Sequence, residues 1–366
     1  MLRRLAYIEN RKVLADSGEV VSDIKVRDPI TALWVELRAQ NGSTSNVANP
    51  VAAVIDAVEV IDGSTVLFSL DGWELFALTA YHQKHIPYTL VYEYGNLTQN
   101  LSALIPFGRF LGDTMYSLDP TRFANLQVRV KWNLANVRAV GVTGFTTGTA
   151  TLTVVADIME GAPTPAAMLM TKEHYAFTTA ASGVEYIDLP TDYNHRGLYI
   201  RCHKAGSGQL TGISNVKVTC DQGKFIPFDM CKNDLHRIYT FRHPPFHYKH
   251  NFYPSSGDTI YPLLKFDEVV QLTGYDADVY ASYVNDGIGE GIAYIYGNVG
   301  VKSGAYQLMA DVQGFAPVGT LWLPWGLEDE PSSWLQASLF KSLRLELTMD
   351  SASASAFVVT QQERTF

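Results

Sequence analysis

Three histidines lie close together in TFRHPPFHYKHNFYP: His243, His247 and His250. Three imidazoles can hold zinc or copper. Their spacing argues against it, because Pro244 and Pro245 exclude the regular helix that would bring the rings to one face, and no HxH or HExxH pattern is present. The stretch reads as an aromatic loop packed on its neighbours. His82 and His85, beside Tyr81 and Tyr88, read as hydrogen-bonded histidines following a strand. The carboxylate groups Asp276 with Asp278, and Glu328, Asp329 and Glu330, fall in polar turns where the ionised, solvated form is the default. The glycine-rich GIGEGIAYIYGNVG runs into a Tyr and Ile strand, so it offers no helix N-terminus to a phosphate. GxSxG and P-loop patterns do not occur. The expectation is no catalytic constellation, no metal site and no cofactor.

Composition narrows the classes further. A chain of 366 residues is long for one core and fits two domains of ordinary size. Apolar residues make up 47% and charged residues 18%, so part of the surface is expected to be committed to other chains. Twenty Tyr and seventeen Phe favour strands. A formal charge of -9 without a long basic run gives no cationic footprint for sequence-specific nucleic-acid binding. Cys202, Cys220 and Cys231 form no CxxC pair and leave an odd thiol, which suits a reduced compartment. The opening MLRRLAYIENRK has charges where a signal peptide needs its apolar core, and no run approaches a membrane-spanning length.

The elements around these residues repeat. IPFGRFLGDTMYSLDPTRFANLQVRVKW (105 to 132) has a shortened counterpart in LPWGLEDEPSSWLQASLFKSLRLELTM. Each copy starts with Pro, an aromatic and Gly (Pro106, Phe107, Gly108; Pro324, Trp325, Gly326) and ends in an alternating strand. Leu126, Val128, Val130 and Trp132, and Leu343, Leu345, Leu347 and Met349, are predicted to face a core. Further matches keep the same order. Leu33, Trp34 and Val35 align with Leu198, Tyr199 and Ile200; Ile55, Val58 and Val60 with Ile213, Val216 and Val218; Gly63, Val66, Phe68, Leu70 and Leu75 with Gly223, Ile226, Phe228, Met230 and Leu235. Asp62-Gly63 between alternating runs marks a hairpin. The offset grows from 160 to 218, which places about 58 extra residues of the second copy between Leu235 and Pro324.

An ordered internal duplication of short alternating strands predicts an all-β protein, two tandem eight-stranded antiparallel jelly-roll sandwiches with short helices in loops and at the N-terminus. The expected divisions are an arm over 1–20, a first jelly roll over 21–162 ending in GAPTPA, and a second over 163–366 with an insertion at about 236–322. Residues 1 to about 15 are predicted as a short helix carrying Arg3, Arg4, Arg11 and Lys12, too brief to stand alone. Such an arm either fastens onto a neighbouring subunit or frays, or it faces an anionic membrane or nucleic acid.

The tandem arrangement, with IPFGRFLGD and SLDPTRFANLQVRV answered by LPWG and FKSLRLEL, resembles the double jelly-roll major capsid proteins of the tectivirus and adenovirus lineage. The resemblance spans about residues 20 to 363. It implies a viral major capsid protein whose homotrimers, six similar walls from three chains, fill a hexagonal lattice and tile an icosahedral shell. Neighbouring capsomers, penton or minor capsid proteins and an internal lipid membrane are the implied partners, with folding in the host cytoplasm. Arg3, Arg4, Arg11 and Lys12 would be an inward-facing or membrane-proximal arm, Arg129 and Lys131 would meet the facing jelly roll, and the insertion would form an outward loop or tower. A competing reading is a glycan-active or glycan-binding double jelly roll. A bicupin needs HxH and a later His, absent from both copies; a glycan amidase needs acids gathered where the two sandwiches meet.

Overall fold

The computed structural model describes residues 2–42, 51–90, 96–137, 144–204, 211–252, 259–260, 266–276, 295–296 and 308–366, with the side chains of 90 and 250–310 outside that description. Sixteen strands form two sandwiches. The first contains β1 (Leu2–Val13), β2 (Ser17–Asp23), β3 (Ile30–Gln40), β4 (Ile55–Asp62), β5 (Thr65–Leu70), β6 (Thr98–Pro106), β7 (Leu126–Asn133) and β8 (Thr151–Glu160). The second contains β9 (Ala167–Thr178), β10 (Gly183–Leu189), β11 (His195–His203), β12 (Ile213–Cys220), β13 (Phe225–Cys231), β14 (Thr320–Pro324), β15 (Leu343–Met349) and β16 (Ser355–Thr365).

The strand orders show the duplication directly. The first sandwich pairs β1-β8-β3-β6, with the short strand Tyr88–Leu90 added beyond β6, and β2-β7-β4-β5; the second pairs β9-β16-β11-β14 and β10-β15-β12-β13. Each of the eight numbered strands of the first half has its equivalent eight strands later. The residue matches read from the sequence hold at the level of hydrogen-bonded partners: Val58 faces Val130 and Leu70 in the first half, and Val216 faces Leu347 and Met230 in the second.

Alternation puts one side of each strand into a dry core. Leu33, Leu37, Val58, Val60, Val128 and Val130 fill the first sandwich, and Leu198, Ile200, Val216, Val218, Leu345 and Leu347 the second. Outward residues pair across the sheet surface. Arg129 bonds Glu59, Lys131 approaches Glu19 at 3.6 Å and Lys217 approaches Glu346 at 3.7 Å.

Two α-helices follow equivalent strands. α1 (Gly72–Gln83) leaves β5 and α2 (Lys232–Thr240) leaves β13. The run through Leu75 reads in the sequence as a strand hairpin, and its last residues instead start α1. Its start is a capping box: Asp71 Oδ1 accepts from the Glu74 N–H at 2.6 Å, and Glu74 Oε2 accepts from the Asp71 N–H at 3.1 Å. His82 belongs to this helix instead of following a strand. The long second-copy connection is not simply a loop either. Its strands Phe246–Phe252, Leu308–Pro317 and Phe266–Asp276 form a three-stranded antiparallel sheet, and Phe246 and Val312 join the core beside α1.

The N-terminus is a second correction. Residues 2–13 are β1, an edge strand paired with β8 from Leu2 opposite Glu160 to Val13 opposite Thr151, where a helix had been expected. Pairing supplies the stability that a 12-residue segment lacks alone. The residues expected to be an arm, 1–20, thus hold β1 and the start of β2, both strands of the first sandwich.

Candidate functional site

The two halves meet where α1 lies against the outer face of β11 and β14. β5 also adds to β9 in parallel, with Phe68 opposite Thr171 and Ser69 opposite Lys172, which joins one sheet of each sandwich edge to edge. The junction is mostly aromatic. Tyr81 of α1 packs 6.1 Å from Tyr199 and 5.6 Å from Phe246 between ring centroids, and its hydroxyl donates to the Thr320 carbonyl at 2.7 Å. Tyr199 stacks on Trp322 at 4.1 Å. Burial raises both phenols above their ordinary pKa, so they stay neutral packing groups.

Titratable residues gather around this contact, most of them in ion pairs or hydrogen bonds. Asp71, the N-cap of α1, reaches Arg201 of β11 at 3.3 Å. Burial, then the charges of Asp71 and Glu173, push the Glu74 carboxyl well above its ordinary range, which favours the protonated form. Arg196 donates from Nε to the Glu328 carbonyl at 2.9 Å and from Nη1 to Gln361 Oε1 at 2.6 Å. Glu328 was expected in a solvated turn. It is instead three-quarters buried, 3.5 Å from Arg196 and 3.3 Å from His243. Burial works to raise its pKa, and His243 and Arg196 outweigh that, leaving it below the usual carboxylate value. Burial, with Arg196 adding to it, lowers His82 to about 4.

The space enclosed by Tyr81, His236, Tyr239, His243, Phe246 and Trp322 is about 10 Å³, the room of roughly one water molecule. No substrate fits it. What the arrangement can do is hold two sandwiches rigidly at a fixed angle, through a capped helix, stacked rings and ion pairs taken out of water.

The histidine cluster does not converge. His243 is buried, edge-on to Tyr81 at 5.3 Å, while His247 is exposed on its strand and bonds Asp311 at 2.5 Å. The His250 side chain lies outside the described residues, as do Asp278 and most of 287–300. Among the described residues no group of three or more His, Cys, Asp or Glu is placed to hold a metal ion. Cys202 and Cys220 are buried and Cys231 is exposed.

The four cations assigned to an arm sit along β1. Arg3 reaches across to the buried Asp157 of β8, at 2.7 Å from Nε to Oδ1, and this bond raises its pKa above the ordinary guanidinium value. Arg4 approaches Glu160 at 3.5 Å and Lys12 approaches Glu9 at 3.8 Å. Arg11 lies in the left-handed region at φ 48°, within the second of two bulges, and its N–H donates to Thr153 Oγ1 at 3.3 Å. The structure therefore brings these residues together as part of a sheet edge. Sequence reasoning overlooked Asp71, Glu74 and Arg201; the Asp-Gly-Trp-Glu run was the available signal for the first two.

No protein-family model matches this chain, and no curated protein matches it. Solved structures do. The major capsid protein P2 of bacteriophage PM2 superposes with a TM-score of 0.56 at 11% identity, covering 100% of this chain and 98% of that one. The major capsid protein of Sulfolobus turreted icosahedral virus gives 0.59 at 12% identity, covering 100% and 97%. The capsid protein of the virus PBCV-1 gives 0.56 at 10%, covering 99% and 93%. At such identities the likeness concerns architecture: this chain has the double jelly-roll fold of those proteins along essentially its whole length.

Proposed function

We propose that this chain is a viral major capsid protein, a structural and non-catalytic subunit that self-assembles as pseudo-hexagonal homotrimers tiling an icosahedral shell. The observation that carries the proposal is the pair of sandwiches with identical strand order, fixed side by side by a dry junction. Two similar walls per chain let three chains imitate a hexagon, using head-to-tail contacts that close as a ring. The full-length likeness to three viral coat proteins supports the same reading, as does a titratable cluster consumed by packing.

The proposed partners are two further copies in the trimer, neighbouring capsomers and, elsewhere in the particle, penton or minor capsid proteins and an internal lipid membrane. The place of action is the virion, after folding in the host cytoplasm. The boundary between the two jelly rolls is placed in the loop at 161–166 that joins β8 to β9, with the inserted sheet as the base of an outward projection. We read Arg3, Arg4, Arg11 and Lys12 as wall residues at the rim of β1, and a membrane beneath the shell would face whichever of them the trimer leaves open.

Light scattering of the purified full chain, followed by electron microscopy, tests the reading. Trimers with hexagonal outline, or closed shells, are expected. A strictly monomeric protein at all concentrations overturns it.

A further inference from the structure

The junction inside the chain uses one edge from each half. β5 ends the sheet β2-β7-β4-β5, β9 begins the sheet β9-β16-β11-β14, and the two add in parallel. Because the halves are duplicates, each of these edges has a counterpart. The counterpart of β5 is β13, and that of β9 is β1. Neither β13 nor β1 has a second strand neighbour among the described residues.

The ladders align the counterparts residue by residue. Val60 faces Phe68 where Val218 faces Phe228, so Phe68 and Ser69 correspond to Phe228 and Asp229. On the other edge, Leu33 faces Ala156 where Leu198 faces Thr360. Ala156 in turn faces Ala6, and Thr360 faces Lys172. One residue later both strands have a bulge, between Tyr7 and Glu9 and between Glu173 and Tyr175. Leu5 and Ala6 therefore hold the places of Thr171 and Lys172.

The helices give a second, independent match. Tyr81 lies ten residues after the N-cap Asp71, and Phe241 ten after the N-cap Cys231. Tyr81 is 6% exposed because it covers Tyr199; Phe241 is 91% exposed and covers nothing. Trp34 occupies on β3 the position of Tyr199 on β11, and its side chain is half-buried on the outer face. Both open edges also carry bare apolar side chains: Leu5 and Tyr7 are 62% and 65% exposed, and Phe225 and Ile226 are 49% and 44% exposed. Clustered apolar exposure of this kind marks a contact surface.

We infer that β13 and α2 of one copy dock on β1 and β3 of a second copy, strands parallel, with Phe228 opposite Leu5, Asp229 opposite Ala6 and Phe241 over Trp34. The contact repeats between chains the β5–β9 junction found within one. It rests on the trimeric reading and supplies its register. The two surfaces differ, so every added copy brings a new free edge of each kind until a ring closes. The exposed apolar residues of β1 then face a partner instead of water.

Cysteine pairing tests the register. Opposed residues on adjacent strands lie within the Cα separation a disulfide spans, about 4.4 to 6.8 Å. In a Cys231→Ser background, Ala6→Cys combined with Asp229→Cys is expected to give covalent dimers and trimers on a non-reducing gel under mild oxidation. Lys12→Cys with Asp229→Cys, six positions off register or about 20 Å, is expected to give none. Phe241→Asp is expected to convert trimers to monomers whose far-UV circular dichroism matches that of the wild type, since the side chain is exposed in one copy. A wild-type trimer in which the matched cysteines fail to cross-link overturns the register and leaves the trimeric reading standing. A trimer that survives Phe241→Asp removes the contact with Trp34. A wild-type chain that never trimerises removes both readings.

Discussion

Asp71 caps α1 with one carboxylate oxygen and holds Arg201 of the other sandwich at 3.3 Å with the second. One side chain thus ends a helix and joins two domains. Arg201 also donates to the Val318 carbonyl at 3.2 Å and lies 5.1 Å from the Phe357 ring centroid. Removing it leaves Asp71, Glu74 and Glu173 without their nearest cation.

Arg201→Ala is therefore expected to lower stability by about 3 kcal/mol or more, and Asp71→Ala by about 1 to 2 kcal/mol through the lost cap. In urea unfolding of the double variant the two effects should fall short of additivity by about 1 to 3 kcal/mol. Additive losses would show that the pair does not couple the sandwiches.

Glu74 sets a pH dependence at the same junction. Its folded-state pKa lies above the ordinary value of 4.5, so the folded protein holds a proton that the unfolded chain releases. Stability is then complete below about pH 4.5 and declines as pH rises through the folded value. Glu74→Gln keeps the acceptor for the Asp71 N–H and removes the ionisation. It should raise Tm by about 2 °C or more at pH 8 and leave it nearly unchanged at pH 4, as read by calorimetry at the two pH values.

His195 gives the opposite sign. Its Nε2–H donates to the Pro190 carbonyl at 2.7 Å, and burial lowers its pKa from 6.5 to about 4. The unfolded chain takes up the proton first, so the stabilisation is full above pH 6.5 and disappears as pH falls to 4. The contribution is up to about 1.4 kcal/mol per pH unit across that window. His195→Gln can still donate to Pro190, and its unfolding midpoint should fall less steeply than wild type between pH 6.5 and 4.

The parts legible in the sequence are those whose burial pattern arises within one sandwich. Val58, Val60, Val216 and Val218 alternate because one side of their sheet is core and the other is not, and the duplication follows from such residues. α1 was hidden for a physical reason. GWELFALTAYHQ is pressed between its own sandwich and the sheet of the other, so it is apolar nearly all round and shows no 3.6-residue stripe. β1 was hidden differently. Its two bulges interrupt the two-residue period, and Leu2, Leu5, Tyr7 and Val13 face outward, so the hydrophobic pattern points away from its own core. The Asp71–Arg201 contact joins positions 130 residues apart, which no local pattern reports.

The Pro-aromatic-Gly tripeptide that first disclosed the repeat has a common cause in both halves. A Cβ on Gly108 would sit 2.4 Å from the Tyr116 carbonyl oxygen, and one on Gly326 would sit 2.3 Å from the Ser333 carbonyl oxygen. In each half the segment leaving the strand is crossed by the polar loop that leads to the next one, and the crossing leaves no space for a methyl group. The constraint is room rather than backbone angle, and the obstructing atom is main chain, so a rotamer change cannot relieve it. Gly108→Ala and Gly326→Ala should each cost about 1 to 3 kcal/mol, visible as a lower Tm. Equal losses in the two halves are expected from one shared geometry, and a neutral Gly326→Ala beside a damaging Gly108→Ala would show that the second loop has lost the tight crossing of the first.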